Sequence, residues 1–101
     1  FYKSSIVFVS IPSSVEEISK EAFLLCYELK RVTFAPNSQL KIIGEKAFAA
    51  TKIRKFKVPK HVSEIKEGAF RNCERLIEFT FETDSELKKF VNTYFTTQKF
   101  L

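Results

Sequence analysis

The sequence predicts an α/β repeat protein, a solenoid with one short parallel strand and a short helical turn in each coil of 22 to 25 residues. The first observation is self-similarity, since segment 11–34 (IPSSVEEISKEAFLLCYELKRVTF) returns in outline at 34–58 and again at 58–81. The second observation is that each copy closes with an aliphatic-x-x-apolar-x-apolar run. A fixed period of about 20 to 50 residues is typical of solenoids, whose units bury their apolar faces against each other.

The aromatic residue of a recurring Ala-Phe dipeptide sets the period. Aligned on it, the copies superimpose Phe1, Phe23, Phe48, Phe70 and Phe95, at alternating intervals of 22 and 25 residues. We therefore expect a single solenoid over 1–101, with coils at about 1–22, 23–47, 48–69 and 70–94. Because Phe1 falls inside a repeat unit, we also expect the chain to be a piece of a longer protein.

The closing runs predict the strands. They are Ile6-x-x-Val9-x-Ile11, Leu29-x-x-Val32-x-Phe34, Ile53-x-x-Phe56-x-Val58 and Leu76-x-x-Phe79-x-Phe81. Their last three positions alternate with period two, which places the apolar side chains on one face of a strand. Tight hairpins would return the chain much sooner. The strands are therefore expected to stack in parallel, about 4.8 Å apart, as one concave sheet.

The rest of each coil forms a corner and a turn. A proline (Pro12, Pro36 or Pro59) follows three of the strands and cannot donate a ladder hydrogen bond. The Ala-Phe dipeptides are predicted on short helical turns of the convex side, with Ala where neighbouring coils approach and Phe filling the interior. Stacked copies would form a ladder of phenylalanine rings in the core.

The C-terminal segment 85–101 allows two interpretations. Ser85 is a candidate N-cap, and the apolar residues that follow it have the i, i+3, i+4, i+7, i+8 spacing of an amphipathic helix: Leu87, Phe90, Val91, Tyr94 and Phe95. The same segment can be aligned as a degenerate coil, with Tyr94 in place of Ala and Gln98 in place of Cys. The periodicity slightly favours a capping helix, and either structure would cover the end of the solenoid.

The pattern I-P-x-x-V-x-x-I-x-x-x-A-F-x-x-C-x-x-L-x-x-V, found at 11–32, resembles the BspA-like subclass of leucine-rich repeats. The resemblance covers about residues 1–90. It implies a non-enzymatic protein-binding or adhesion module at the cell surface or outside the cell. BspA-like proteins occur on bacterial surfaces and in protist parasites, where they are associated with attachment to host cells and matrix proteins.

Composition and side-chain types disfavour several other classes of function. No apolar run approaches the length of about 18 residues that spans a bilayer. Cys26 and Cys73 lie two coils apart, about 9.6 Å by strand spacing, which exceeds the reach of a disulfide, so we expect free buried thiols. His61 is the only histidine and is expected to be exposed, and no third ligand clusters with it. We therefore predict no metal site, no cofactor and no enzymatic activity.

The outward strand positions are the candidate binding site. They form two columns across the predicted concave sheet: Phe8, Arg31, Lys55 and Glu78, then Ser10, Thr33, Lys57 and Thr80. Arg31, Lys55 and Lys57 give these columns a basic centre, thickened by Lys52, Arg54 and Lys60, within a chain of net charge +5. Such a centre suits an acidic protein, a glycan or another polyanion. It also suits a solvated sheet whose cations prevent aggregation.

Two alternative functions stay open at this stage. One is a cytoplasmic scaffold repeat for protein–protein interaction, consistent with free cysteines and with the absence of an Asn-x-Ser/Thr sequon. The other is weak polyanion binding through Arg31, Lys55 and Lys57, which would fall steeply with salt. Few aromatic residues lie beside these cations, so no specific nucleic acid is expected as a partner.

Overall fold

A computed structural model describes residues 1–91 as a parallel β-solenoid of about four coils. Four-residue strands alternate with two-residue strands along the chain. The strands are β1 (Phe8–Ile11), β2 (Glu17–Ile18), β3 (Arg31–Phe34), β4 (Ile42–Ile43), β5 (Lys55–Val58), β6 (Glu64–Ile65), β7 (Glu78–Phe81) and β8 (Lys89–Phe90). The predicted strand in each closing run is confirmed, and each coil carries a second, shorter strand that sequence analysis missed.

All the strand pairs are parallel, as predicted, but they form three sheets in the described residues. The two-residue strands make one four-stranded sheet in the order β2-β4-β6-β8, while the longer strands pair only as β1-β3 and β5-β7. No ladder joins β3 to β5, although the Phe34 and Phe56 rings of these strands meet edge to face at 5.7 Å. The single sheet expected from the closing runs is therefore divided at its middle.

The core confirms the predicted ladder of phenylalanine rings. Phe1, Phe23, Phe48 and Phe70 stack in that order, with centroid separations of 5.4, 5.3 and 5.5 Å. The planes of successive rings differ by 16° or less. Phe48 is fully buried at the centre of this stack, so successive coils share one continuous aromatic interior. Phe95, the expected next ring, lies outside the described residues.

The segments around the Ala-Phe dipeptides are turns, which corrects the prediction of short helical turns, and no helix occurs in residues 1–91. Residues in the left-handed region recur at two equivalent places per coil: Glu21, Lys46 and Gly68, then Lys3, Leu25, Ala50 and Asn72, all with φ between 54° and 69°. A left-handed residue interrupts a right-handed helix. The Phe23 and Phe48 N–H groups donate instead to carbonyls of the next coil, at 2.7 and 2.8 Å.

Only part of the C-terminal segment is described. Within it, Lys89–Phe90 pairs with Glu64–Ile65 as an edge strand. Ser85 Oγ accepts the Leu87 N–H at 3.3 Å, the same arrangement as Ser38 with Leu40 at 3.2 Å. Residues 85–88 are not helical and β8 follows them, so no helix begins at Ser85. The other residues of the predicted capping helix or degenerate coil, 92–101, lie outside the described residues.

A membrane-crossing helix would have to be long and predominantly apolar. Residues 1–91 contain none that meets both conditions.

Candidate binding face

All eight predicted site residues are exposed on the outer side of the four-residue strands. The alternation is clearest in β5, where Lys55 and Lys57 are exposed while Phe56 and Val58 are buried in the core. The first and third residues of β1, β3, β5 and β7, together with the residue that precedes each strand, form the long-strand face. The predicted residues on it are Phe8, Ser10, Arg31, Thr33, Lys55, Lys57, Glu78 and Thr80.

Strand register brings these residues together in pairs. Phe8 lies beside Arg31 and Ser10 beside Thr33, while Lys55 lies beside Glu78 and Lys57 beside Thr80. The Arg31 guanidinium lies 5.4 Å from the centre of the Phe8 ring, within the range of a cation–π contact. Because no ladder joins β3 to β5, the predicted columns are two pairs of neighbours rather than one continuous row.

The residues that precede the strands extend the face, and sequence analysis did not select them as site residues. They are Val7, Lys30, Arg54 and Ile77, and all four are exposed. Their main chain is held from coil to coil, since the Lys30 N–H donates to Val7 O and the Ile77 N–H to Arg54 O, both at 2.8 Å. Their recurrence as the second position of each closing run was the signal that could have found them.

Charge on the long-strand face is one-sided and unpaired. The face carries five cations (Lys30, Arg31, Arg54, Lys55 and Lys57) and one carboxylate, that of Glu78. No ion pair among the described residues involves any of these cations. Elsewhere, some charges pair between equivalent positions of adjacent coils, as in Lys20–Glu45 at 3.4 Å and Lys41–Glu16 at 3.8 Å. The long-strand face thus carries five cations that are in no ion pair within residues 1–91.

Several clefts lie off this face. One, of about 550 Å³, has Tyr27, Lys52 and Arg75 in its lining, where the connection from Thr51 to Ile53 is one residue shorter than its counterparts in the neighbouring coils. Another, of about 340 Å³, lies beside the Pro59 corner, where His61 Nδ1 and Glu86 Oε2 are 3.0 Å apart. Across residues 1–91, no group of three or more His, Cys, Asp or Glu side chains is placed to hold a metal ion.

Cys26 and Cys73 are free and buried, as predicted. Each thiol donates to the carbonyl of the ladder phenylalanine one coil earlier, Cys26 to Phe1 O at 2.7 Å and Cys73 to Phe48 O at 3.1 Å. Burial raises the pKa of the Cys73 thiol above its ordinary value, partly offset by its hydrogen bond with Thr51. A buried, protonated thiol is a structural donor rather than a nucleophile.

Comparison with known proteins supports the same architecture. A family model described as a BspA type leucine rich repeat region matches residues 1–100 in six copies. The crystal structure of the pneumococcal vaccine antigen PcpA is similar, with 30% identity and a TM-score of 0.76 over 79% of the chain. So is a leucine rich cell surface protein of Faecalibacterium prausnitzii, with 32% identity and a TM-score of 0.73 over 80% of the chain.

The chain covers 20% of the length of each of these two structures. A search of curated proteins found no match.

Proposed function

The chain belongs to the BspA-type leucine-rich-repeat family, and we propose that it is a protein-binding module of a cell-surface protein that recognises its ligand through the long-strand face. The observation that carries this proposal is the group of five neighbouring cations, including Arg31 and Lys55, that form no ion pair in the described part of the chain. Three lysines on other parts of the described surface, Lys20, Lys41 and Lys52, are paired from coil to coil. Cations without partners are available to a ligand and speed its approach.

The names of two similar structures support the surface location. One similar structure is a vaccine antigen and another is named a cell surface protein. The family resemblance adds attachment to host cells or matrix proteins as the kind of binding expected. If the parent protein is instead cytoplasmic, the same face would serve a scaffold repeat, and a signal peptide in the full-length gene would distinguish the two locations.

Rigidity also favours binding through this face. The main chain under it is held by bonds between coils, such as Lys52 N–H to Leu29 O at 2.9 Å and Glu82 N–H to Val58 O at 3.1 Å. Binding to a preformed surface costs less conformational entropy than binding to a flexible loop, because the loop must first become ordered. The face therefore needs little rearrangement to become a binding site.

The test is binding of the chain to immobilised matrix proteins, host-cell membranes and heparin at two salt concentrations. The triple variant Arg31→Glu, Lys55→Glu, Lys57→Glu reverses the charge of the face. A matched control, Lys20→Glu, Lys88→Glu, Lys89→Glu, changes the net charge equally at exposed residues outside it. Saturable binding to a protein that only the first variant abolishes is the expected result.

Two results would count against the proposal. If both triple variants weaken binding equally, net charge rather than the long-strand face determines it. If heparin alone binds, and releases the chain at moderate salt, the cations act as a non-specific polyanion site.

A further inference from the structure

Resting on the proposed function, we infer that the long-strand face takes an acidic protein surface whose carboxylates are flanked by apolar side chains, rather than a polyanionic chain. The inference comes from where the charges and the exposed apolar groups lie on the four strands. It gives the ligand of the face a chemical class, which the family membership alone does not supply.

The cations are confined to the two middle strands. β3 with its preceding residue carries Lys30 and Arg31, and β5 with its preceding residue carries Arg54, Lys55 and Lys57. At about 3.3 Å per residue, the row of cations from Arg54 to Lys57 is roughly 10 Å long, and only one other strand of the face carries cations. A sulfated or phosphorylated chain gains affinity from a long basic track, and here the track ends after two strands.

The outer strands border these cations with apolar side chains. Phe8 of β1 is 61% exposed and Ile77, just before β7, is 52% exposed, and Val7 lies beside Phe8. Covering such side chains with apolar groups of a partner is favourable, at about 25 cal/mol per Å² of apolar surface. An aliphatic side chain such as Ile77 gives a polyanionic sugar little to bind. Glu78, on the same border, would repel it.

The contact between Arg31 and Phe8 places a carboxylate site next to an apolar one. With its guanidinium over the Phe8 ring at 5.4 Å, Arg31 keeps a planar group of donors that matches the two oxygens of a carboxylate. A partner group docked here would meet charge and apolar surface side by side. Across the four strands, the complementary order in the partner is apolar, acidic, acidic, apolar.

Synthetic peptides provide the probe, since the natural ligand is unidentified. One peptide carries glutamates at its centre and leucine or phenylalanine at both ends, and a second has the same composition with the glutamates at the ends. Polyglutamate and heparin complete the set. We expect the first peptide to bind at least about tenfold more tightly than the second, and to keep that preference at moderate salt.

Variants then separate the apolar contribution from the charge. Phe8→Ser with Ile77→Ser should remove the tenfold preference, whereas Tyr27→Ser, at an exposed aromatic side chain outside the face, should leave it unchanged. Since Phe8 and Ile77 are exposed, the denaturation midpoint should stay near that of the unmodified chain. This midpoint checks that lost binding is not lost folding.

The outcomes distinguish this inference from the function on which it rests. If the charge-reversal variant abolishes protein binding but the Phe8 and Ile77 variant does not, the face is the site and the apolar flanks are irrelevant. Heparin binding more tightly than every peptide would also overturn the inference, in favour of a polyanion. If charge reversal leaves protein binding intact, the proposed function itself fails.

Discussion

Phenylalanine has two distinct roles in this chain, and position in the coil decides between them. Phe48 lies in the ladder with no exposed surface, stacked between Phe23 and Phe70. Phe8 is at an outward position of β1, is 61% exposed and contacts the Arg31 guanidinium. The first ring stabilises the stack of coils, whereas the second is available to a ligand. Replacing a phenylalanine is therefore expected to lower stability strongly in the ladder and only slightly on the long-strand face.

Replacing Phe48 with alanine tests the ladder. Phe48→Ala should lower the free energy of unfolding by about 3 to 5 kcal/mol, because it removes a fully buried ring between two stacked neighbours. Phe8→Ala is the matched control and should change it by no more than about 0.5 kcal/mol. Urea denaturation followed by far-UV circular dichroism measures both. Equal midpoints for Phe48→Ala and the unmodified chain would refute the ladder as a source of stability.

A second residue-scale feature is the buried polar group beneath the ladder. The Phe48 carbonyl accepts from Thr51 Oγ1 at 3.0 Å and from Cys73 Sγ at 3.1 Å. Thr51 occupies the place that Cys26 and Cys73 hold in their own coils. A hydroxyl and a thiol thus serve the same purpose, since either can satisfy a carbonyl that the turn leaves without a main-chain donor.

The Cys73 thiol makes stability depend on pH. Burial raises its pKa in the folded chain above the ordinary value of 9.0. Below that pH the Cys73 thiol is protonated in both the folded and the unfolded chain, and its contribution to the free energy of unfolding is fully present. Above that pH the unfolded chain releases the thiol proton first. The free energy of unfolding should therefore fall as pH rises above about 9.

Cys73→Ala should make that fall shallower, as measured by urea denaturation at a series of pH values between about 8 and 10. Phe8→Ala keeps the thiol and should retain the slope of the unmodified chain. Identical slopes in all three proteins would show that Cys73 contributes nothing to the pH dependence.

At the scale of elements, the turns decide how coils approach each other. Left-handed residues such as Lys46 and Ala50 redirect the main chain so that its N–H groups reach the next coil. The Lys46 and Ala50 N–H groups donate to Glu67 O at 3.1 Å and Arg71 O at 2.8 Å. A helical turn would have used those donors within its own coil, so the observed turns give the solenoid more bonds between coils.

Gly44 marks the closest approach between two elements. A Cβ built on it would lie 2.6 Å from Ile18 O and 2.7 Å from Lys20 N, both main-chain atoms next to or within β2. Gly44→Ala should therefore push β4 away from β2 and cost about 1 to 3 kcal/mol of stability, as an overpacked site does. Thermal denaturation measures the loss.

Ser19 is the matched control for Gly44, because it occupies the equivalent position one coil earlier and is exposed. Ser19→Ala should change stability by no more than about 0.5 kcal/mol. A Gly44→Ala variant as stable as Ser19→Ala would show that β4 can shift at little cost.

For the whole molecule, stability is built from contacts between neighbouring coils. The ladder rings, the parallel strand pairs and the ion pairs all join positions about one coil apart, as in Lys52–Glu28 at 3.9 Å. Core residues of the middle coils, including Leu40, Ile43 and Ile53, have no exposed surface. Ile6 and Val9 near one end, and Leu87 near the other, are only partly buried.

Hydrogen exchange should therefore be slowest in the middle coils. We expect the amides of Phe48 and Lys66, which donate to Ala69 O and Ile43 O, to be protected at least about tenfold more than those of Lys3 and Val91. Mass spectrometry of peptic fragments, or NMR, would measure the difference. Uniform protection along the chain would indicate that the coils open only all together.

The sequence by itself determined the repeat, its alternating period, the parallel strands, the phenylalanine ladder, the free cysteines and the exposure of all eight predicted site residues. Each of these depends on local pattern, because period-two alternation and a fixed coil length specify which side chains face inward.

Only the tertiary structure decided features that depend on how one coil lies against the next. These are the second sheet, the gap between β3 and β5, and the left-handed turns in place of helical ones. The physical reason is that main-chain N–H and C=O groups form hydrogen bonds across coils, between residues far apart in sequence. Repeat spacing places those residues side by side, but the backbone conformation decides which groups meet.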